Sequence, residues 1–197
     1  MSHGLITLYH FTNRPNIELI VQSKTIKAGS YLHKNQLKNG LISLTTDPDP
    51  TGHGLTDGRE ISESQVRQLR YATEFNNKYF CVDNTEFCIK ISIQSDLAIS
   101  ASKIHNNNEL LLLEKTAYLP CCAQVNQLQL DAIAIQIEKG QLIGKSKTWY
   151  YHRGDLSLSQ YELLHRSPSG NYCAVPKNAT GEPVLTSIPK APIFEYS

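Results

Sequence analysis

Apolar and polar positions change period several times along the chain, and each change predicts an element. LITLYHF, residues 5–11, is rich in β-branched and aromatic residues, follows Gly4 and ends on Thr12-Asn13, the pattern of a strand. In NRPNIELIVQSK, residues 13–24, Asn13 is a capping residue type, Pro15 suits a first helical turn, and Ile17, Ile20 and Val21 recur at helical spacing. A strand should therefore run straight into a short amphipathic helix. Residues 40–46, GLISLTT, alternate Leu41, Ser43 and Thr45 with Ile42, Leu44 and Thr46, which predicts a second, half-buried strand. From Asp47 to Gly58, two prolines, three glycines and three aspartates predict a loop.

The pattern then turns helical. Ser62 and Gln65 form a capping-box pair, and Val66, Leu69 and Ala72 or Thr73 make one stripe, predicting a helix over 63–75. NTEFCIKISIQ, residues 84–94, sets Phe87, Ile89, Ile91 and Ile93 against Glu86, Cys88, Lys90 and Ser92, a strand with one apolar face. Residues 106–130 mix a leucine run with Pro120 and predict no definite element. DAIAIQIEKG (131–140), TWYYHRGDL (148–156) and QYELLHR (160–166) read as further strands, the last closing the sheet. No regular strand–helix alternation and no Gly-rich phosphate loop occur, so the fold class expected is α+β rather than a doubly wound or P-loop fold.

Length and composition narrow this. A chain of 197 residues suits one domain over 1–166, followed by a Pro-, Ser-, Gly- and Asn-rich irregular tail over 167–197. The net charge of +1 gives no global attraction for nucleic acid or acidic membranes. With no secretory leader pattern and no long apolar run, a cytoplasmic protein without membrane association is expected. Five cysteines (Cys81, Cys88, Cys121, Cys122, Cys173) lack metal-type spacing and read as reduced thiols; no metal site is expected, although Asp47, Asp49 and His53 are ligand types.

Candidate chemistry concentrates in two stretches. On the first strand, alternation puts His10 and Thr12 on one face, a polar shelf suited to a ribose or an amide; the alternative is a satisfied histidine beside a helix cap. On the second strand Ser43 and Thr45 share a face, and the loop after it brings Asp47, Asp49 and His53, with Gly52 and Gly54 allowing close backbone approach. Arg59 is a candidate for a pyrophosphate. Trp149 and Tyr151 share a face that suits base stacking or core packing. Lys145, Lys147, Arg153 and Arg166 would form a basic patch if their strands were neighbours.

The opening LYHFT, leading into a helix and followed by a strand ending in Ser or Thr, resembles ADP-ribosyltransferase-fold proteins, most closely the DNA-targeting ADP-ribosyltransferase toxins. The longer pattern with TTDPDPTGHGL and KTWYYHRGDL resembles a group of uncharacterised bacterial proteins. The first resemblance implies a central, mostly antiparallel split sheet with a few short helices, and NAD as substrate. It implies that His10 and Thr12, with Phe11 between them, and by extension Ser43 and Thr45, hold NAD. It also implies a carboxylate near the nicotinamide ribose. Glu86 is the first candidate and Glu162 the rival, with neither as the third alternative; His53 is a second catalytic candidate. Three functions stay open: ADP-ribosyl transfer to a macromolecule such as nucleic acid or protein, or to water; an inactive ADP-ribosyltransferase-like binding protein; and a nuclease or phosphotransferase using His10, His53 and His152.

Overall fold

The computed structural model describes residues 4–33, 36–67, 72–119 and 126–189. Its strands are β1 (Leu5–Thr12), β2 (Thr25–Ile26), β3 (Gly29–His33), β4 (Gln36–Thr45), β5 (Glu60–Ile61), β6 (Ala72–Phe75), β7 (Lys78–Cys81), β8 (Phe87–Gln94), β9 (Ile99–Ser100), β10 (Trp149–Arg153), β11 (Leu156–Ser157), β12 (Tyr161–Arg166) and β13 (Tyr172–Ala174). Its α-helices are α1 (Arg14–Ser23), α2 (Glu63–Val66), α3 (Asn107–Thr116) and α4 (Gln127–Glu138). The architecture is α+β. An eight-stranded sheet runs β13-β12-β8-β1-β4-β10-β9, with β3 also paired to β4, and its neighbours are antiparallel. No helix among the described residues is long and apolar enough to cross a membrane.

Period-2 alternation decides the two faces of this sheet. Leu8, Ile42, Leu44, Ile89, Ile91 and Leu163 point to one side, where Ile17 and Ile20 of α1 close the main core. Asn13 caps that helix by accepting from the Asn16 amide at 3.0 Å. Burial alone pushes the Cys88 thiol up to about 12, so it is an inert thiol; Cys81 is also free and buried, and Cys173 free and exposed.

Pairing across the sheet is uneven. β1 pairs with β8 from Leu5↔Gln94 to Thr12↔Phe87, and β4 with β10 from Leu41↔Arg153 to Thr45↔Trp149. β1 and β4, by contrast, register at one pair, Tyr9↔Thr45. Beyond it the two strands diverge, leaving a gap that opens toward Thr12 and Ile42.

Three sequence expectations change. The helix expected over 63–75 stops at Val66; its capping box forms, with Ser62 N donating to Gln65 Oε1 at 2.8 Å, but Ala72–Phe75 is strand β6 paired with β7. Asn76 and Asn77, both left-handed at φ 50° and 60°, make the tight turn of that hairpin. Leu69, on the expected stripe, lies outside the described residues, as do Pro120, Cys121 and Cys122. The expected strand at 131–140 is the end of helix α4, started by Asn126 accepting from the Gln129 amide at 2.8 Å. Alternating Ala and Ile imitate period 2 there, yet the inward positions Leu130, Ile133 and Ile137 follow helical spacing. Finally, β12 is not the last strand: β13 pairs outside it, and Val175 and Ile188 from the expected irregular tail enter the core.

A buried ion pair ties these parts together. Arg14, 4% exposed, donates from Nε to Glu86 Oε1 at 2.8 Å, approaches the same oxygen with Nη2 at 2.6 Å, and donates to the Pro189 carbonyl at 3.1 Å. Its guanidinium also lies 5.1 Å from the Phe87 ring centroid. Removing one partner of such a pair strands a buried charge, at a cost of about 3–5 kcal/mol. Arg14→Ala is therefore expected to lower the urea unfolding free energy by that amount, and a change below about 1 kcal/mol would show the pair to be unimportant.

Candidate functional site

Strand register sets the floor of the site. Tyr9, Thr45 and Trp149 lie in one row across β1, β4 and β10, and Ser43 and Tyr151 are paired in the next, all on the face opposite the core. Above them a cleft of about 410 Å³ is walled by the loop residues His53, Gly54 and Leu55 and by Leu113, Thr116 and Ala117 at the end of α3. A second cavity of about 530 Å³ lies between the diverging ends of β1 and β4, α1 and β2, and is edged by Thr12, Asn16, Ser23 and Thr25. His10, Ser43 and Tyr151 border both.

His10 occupies the gap between the strands. Its Nδ1 lies 3.0 Å from the Ser43 carbonyl oxygen. A carbonyl only accepts, so Nδ1 carries the proton and, in the neutral ring, Nε2 is left as an acceptor. Desolvation holds the imidazole below its ordinary value, against the opposing pull of that carbonyl. His10 thus offers an acceptor to a ribose hydroxyl or an N–H at neutral pH.

The 47–58 loop is a fixed wall. Thr45 Oγ1 accepts from the Asp47 amide at 3.0 Å, Asp47 Oδ1 from Asp49 N at 2.9 Å, and Asp49 Oδ1 from Thr51 N at 3.0 Å, a series of side-chain-capped turns. Lys145, 2% exposed, places Nζ 3.0 Å from Asp47 Oδ2 and 3.2 Å from Asp49 Oδ2, and donates to the Asp49 carbonyl at 3.0 Å. The cation lies where a metal would have to sit between these carboxylates. Gly52 has φ +77°, and a Cβ there would meet the Tyr118 ring at 2.5 Å. Tyr118 is itself fastened by donating to the Ile143 carbonyl at 2.6 Å.

His53 hangs from this loop into the cleft wall. Trp149 Nε1–H donates to His53 Nδ1 at 2.7 Å, so the neutral ring carries its proton on Nε2. That Nε2 is buried without a hydrogen-bond partner. Desolvation first, then the Lys145 charge, lower His53 to about 4. With Nδ1 occupied and Nε2 protonated, the ring in this position has no free lone pair to act as a base.

The other expected residues separate. Phe11 lines the cleft, 6.0 Å from His53 between ring centroids. Thr12 borders the second cavity only. Thr45 lines the cleft, but its hydroxyl is engaged by Thr148 at 3.1 Å and by the Asp47 amide. Glu86 borders neither cavity; it is bound to Arg14, and burial pushes its carboxyl up against the pull of that guanidinium. Glu162 also borders neither and pairs with Lys90 at 2.9 Å on the surface. Arg59 pairs with Asp57 and lines a separate surface depression of about 230 Å³. His152 pairs with Ile42 on the core face, which His10 shares through its pairing with Ile89, and lies near the Gly154 carbonyl at 3.2 Å; His53 is bonded to Trp149 on the other face, so the three histidines do not converge. The expected basic patch does not form: Lys145 is enclosed by Asp47 and Asp49, and Arg166 pairs with Asp83 at 2.7 Å.

Sequence reasoning missed Lys145 as the pin of the loop and His105 beside Tyr151. Nothing near His105 marked it, because its partner is 46 residues away on β10. Among the described residues no group of three or more His, Cys, Asp or Glu could hold a metal. Compared with known protein families, curated proteins and solved structures, the chain matches none.

The lowered His53 makes a pH prediction. Unfolded, the ring titrates near about 6.5, so between that pH and about 4 the unfolded chain binds more protons and stability falls as pH falls. The loss due to His53 is on the order of 2–3 kcal/mol. His53→Gln should flatten the urea midpoint against pH over this window; an unchanged slope would mean that His53 is not buried neutral.

Proposed function

We propose that the protein binds NAD in the cleft beside the β1–β4 gap, on an ADP-ribosyltransferase-like scaffold with a split sheet, and that ADP-ribosyl transfer is its activity. The observation that carries this is His10, placed in the gap by its bond to the Ser43 carbonyl, with Nε2 left to accept from a ligand hydroxyl. The aromatic rows formed by Tyr9, Phe11, Trp149 and Tyr151 supply flat apolar surface for a nicotinamide or adenine ring. The acceptor is a macromolecule, nucleic acid or protein, or water, and the resemblance to toxins belongs to this same reading.

A second reading, an ADP-ribosyltransferase-like binding protein without turnover, is favoured by one specific observation. None of the residues lining the cleft is a carboxylate. Glu86 would have to leave Arg14 to stabilise an oxocarbenium-like transition state, and the buried guanidinium would then be unpaired. The histidine nuclease reading loses support because His53 lies across the sheet from His152.

Calorimetric titration of NAD into the wild type and His10→Ala, with nicotinamide release followed on the same samples, tests this. Wild type should bind, and loss of one ligand hydrogen bond in His10→Ala should weaken binding about tenfold. No binding to wild type would reject the NAD reading. Binding without release selects the second reading. Glu86→Gln separates its two roles: a drop in Tm with unchanged release per folded protein makes it structural, and lost release at unchanged Tm makes it catalytic.

A further inference from the structure

A tyrosine of the cleft is backed by a buried histidine and a carboxylate. Tyr151 borders both cavities, and its hydroxyl lies 3.0 Å from His105 Nε2. His105 is 5% exposed, and on the other side of its ring Nδ1 lies 3.8 Å from Glu109 Oε2. The carboxylate is held by the cap of α3: Glu109 Oε2 accepts from the Asn106 amide at 3.1 Å, and Asn106 Oδ1 accepts from the Glu109 amide at 3.0 Å. The backbone of His105 is fixed as well, its amide donating to the Ala101 carbonyl at 2.9 Å. At 3.8 Å the contact is electrostatic and not a hydrogen bond, and a negative charge on that side favours the ring proton on Nδ1, with Nε2 left to accept from the tyrosine hydroxyl. Carboxylate, imidazole and hydroxyl in series are the parts of a proton-transfer relay.

We propose that Tyr151, His105 and Glu109 form such a relay, in which Tyr151 takes the proton of a water molecule that displaces nicotinamide from NAD. The inference rests on the NAD reading above and adds a base that does not depend on Glu86 or Glu162. In the step, the bond between ribose C1′ and the nicotinamide nitrogen breaks and its electron pair leaves with nicotinamide, which departs neutral. The water oxygen forms the new bond to C1′. Its proton passes to the Tyr151 oxygen as the phenolic proton passes to His105 Nε2, and the imidazolium so formed faces the Glu109 carboxylate until the proton is lost to solvent. The products are ADP-ribose, nicotinamide and one proton. Tyr151 is the catalytic residue; His105 and Glu109 are positioning residues acting through it.

The full-length protein tests this with NAD and water as the only reactants, by calorimetry for binding and by nicotinamide release for turnover. Tyr151→Phe should bind NAD within about threefold of wild type and release nicotinamide at least about 100-fold more slowly, the usual range for a lost acid–base group. His105→Gln and Glu109→Gln should lower kcat with little change in KM, and the solvent deuterium isotope effect on kcat should collapse in Tyr151→Phe. Thermal unfolding of each variant identifies any that fails to fold, and Tyr151→Phe, which keeps the ring, is the decisive one. NAD bound by wild type without release, or released by Tyr151→Phe at the wild-type rate, overturns the relay and leaves the binding reading standing. A parallel rise in KM and fall in kcat in the two backing variants makes His105 a packing residue and also overturns it. Absence of NAD binding to wild type rejects the underlying reading itself.

Discussion

The site depends on an incomplete strand pair. An antiparallel sheet satisfies its backbone by continuous ladders, and β1 achieves this on its β8 side over its whole length. On its β4 side the ladder reduces to Tyr9↔Thr45, so polar backbone groups beyond that pair face a gap rather than a neighbouring strand. One of them, the Ser43 carbonyl, is satisfied by the His10 ring. A side chain replaces a backbone amide, and the replacement both holds the gap open and fixes the histidine's tautomer. The second cavity lies where that ladder ends, and it meets the cleft at His10, Ser43 and Tyr151.

Charge is then kept away from the opening. Arg14 with Glu86, Lys90 with Glu162, Lys145 with Asp47 and Asp49, and Arg166 with Asp83 are all internally paired. What remains in the cleft wall is aromatic rings, hydroxyls and two imidazoles held below their ordinary values. Such a surface suits a planar heterocycle and its ribose better than a free phosphate, which would call for unpaired cations. Lys145 contributes indirectly: enclosed by three oxygen atoms, it makes the aspartate loop one rigid piece, and its charge helps keep His53 neutral.

Much of the fold was legible because the strands nearest the site are half-buried. Alternation marked β1, β4, β8, β10 and β12, and the caps at Asn13 and Ser62 marked two helix starts. Where a segment carried two periods at once, pattern reading failed: the Ala-Ile run of α4 alternates like a strand, and the start of strand β6, Ala72–Phe75, was hidden inside an apparent helical stripe. The site was legible in part. His10, Phe11, Ser43 and Thr45 line one cleft because strand geometry places them, and His53 joins them from the loop through its bond to Trp149. The setting of Glu86 was not legible, for a physical reason that no local pattern contains: its partner Arg14 is 72 residues away, and only the tertiary fold reveals the ion pair.

A pinned loop and a preset tautomer have a shared consequence for recognition. Ordering a loop or a long side chain on binding subtracts about 0.5–1.5 kcal/mol for each immobilised group, and here the wall is already fixed by Lys145, Tyr118 and the Gly52 contact. Affinity then depends on what the ligand itself places at His10 Nε2 and over the aromatic rows. A ligand with a hydroxyl and a planar ring at the right separation gains both contacts without reorganising the protein. One with only the ring can occupy the cleft but leaves the gap and its histidine unused, so discrimination between the two falls to His10 rather than to the larger aromatic surface.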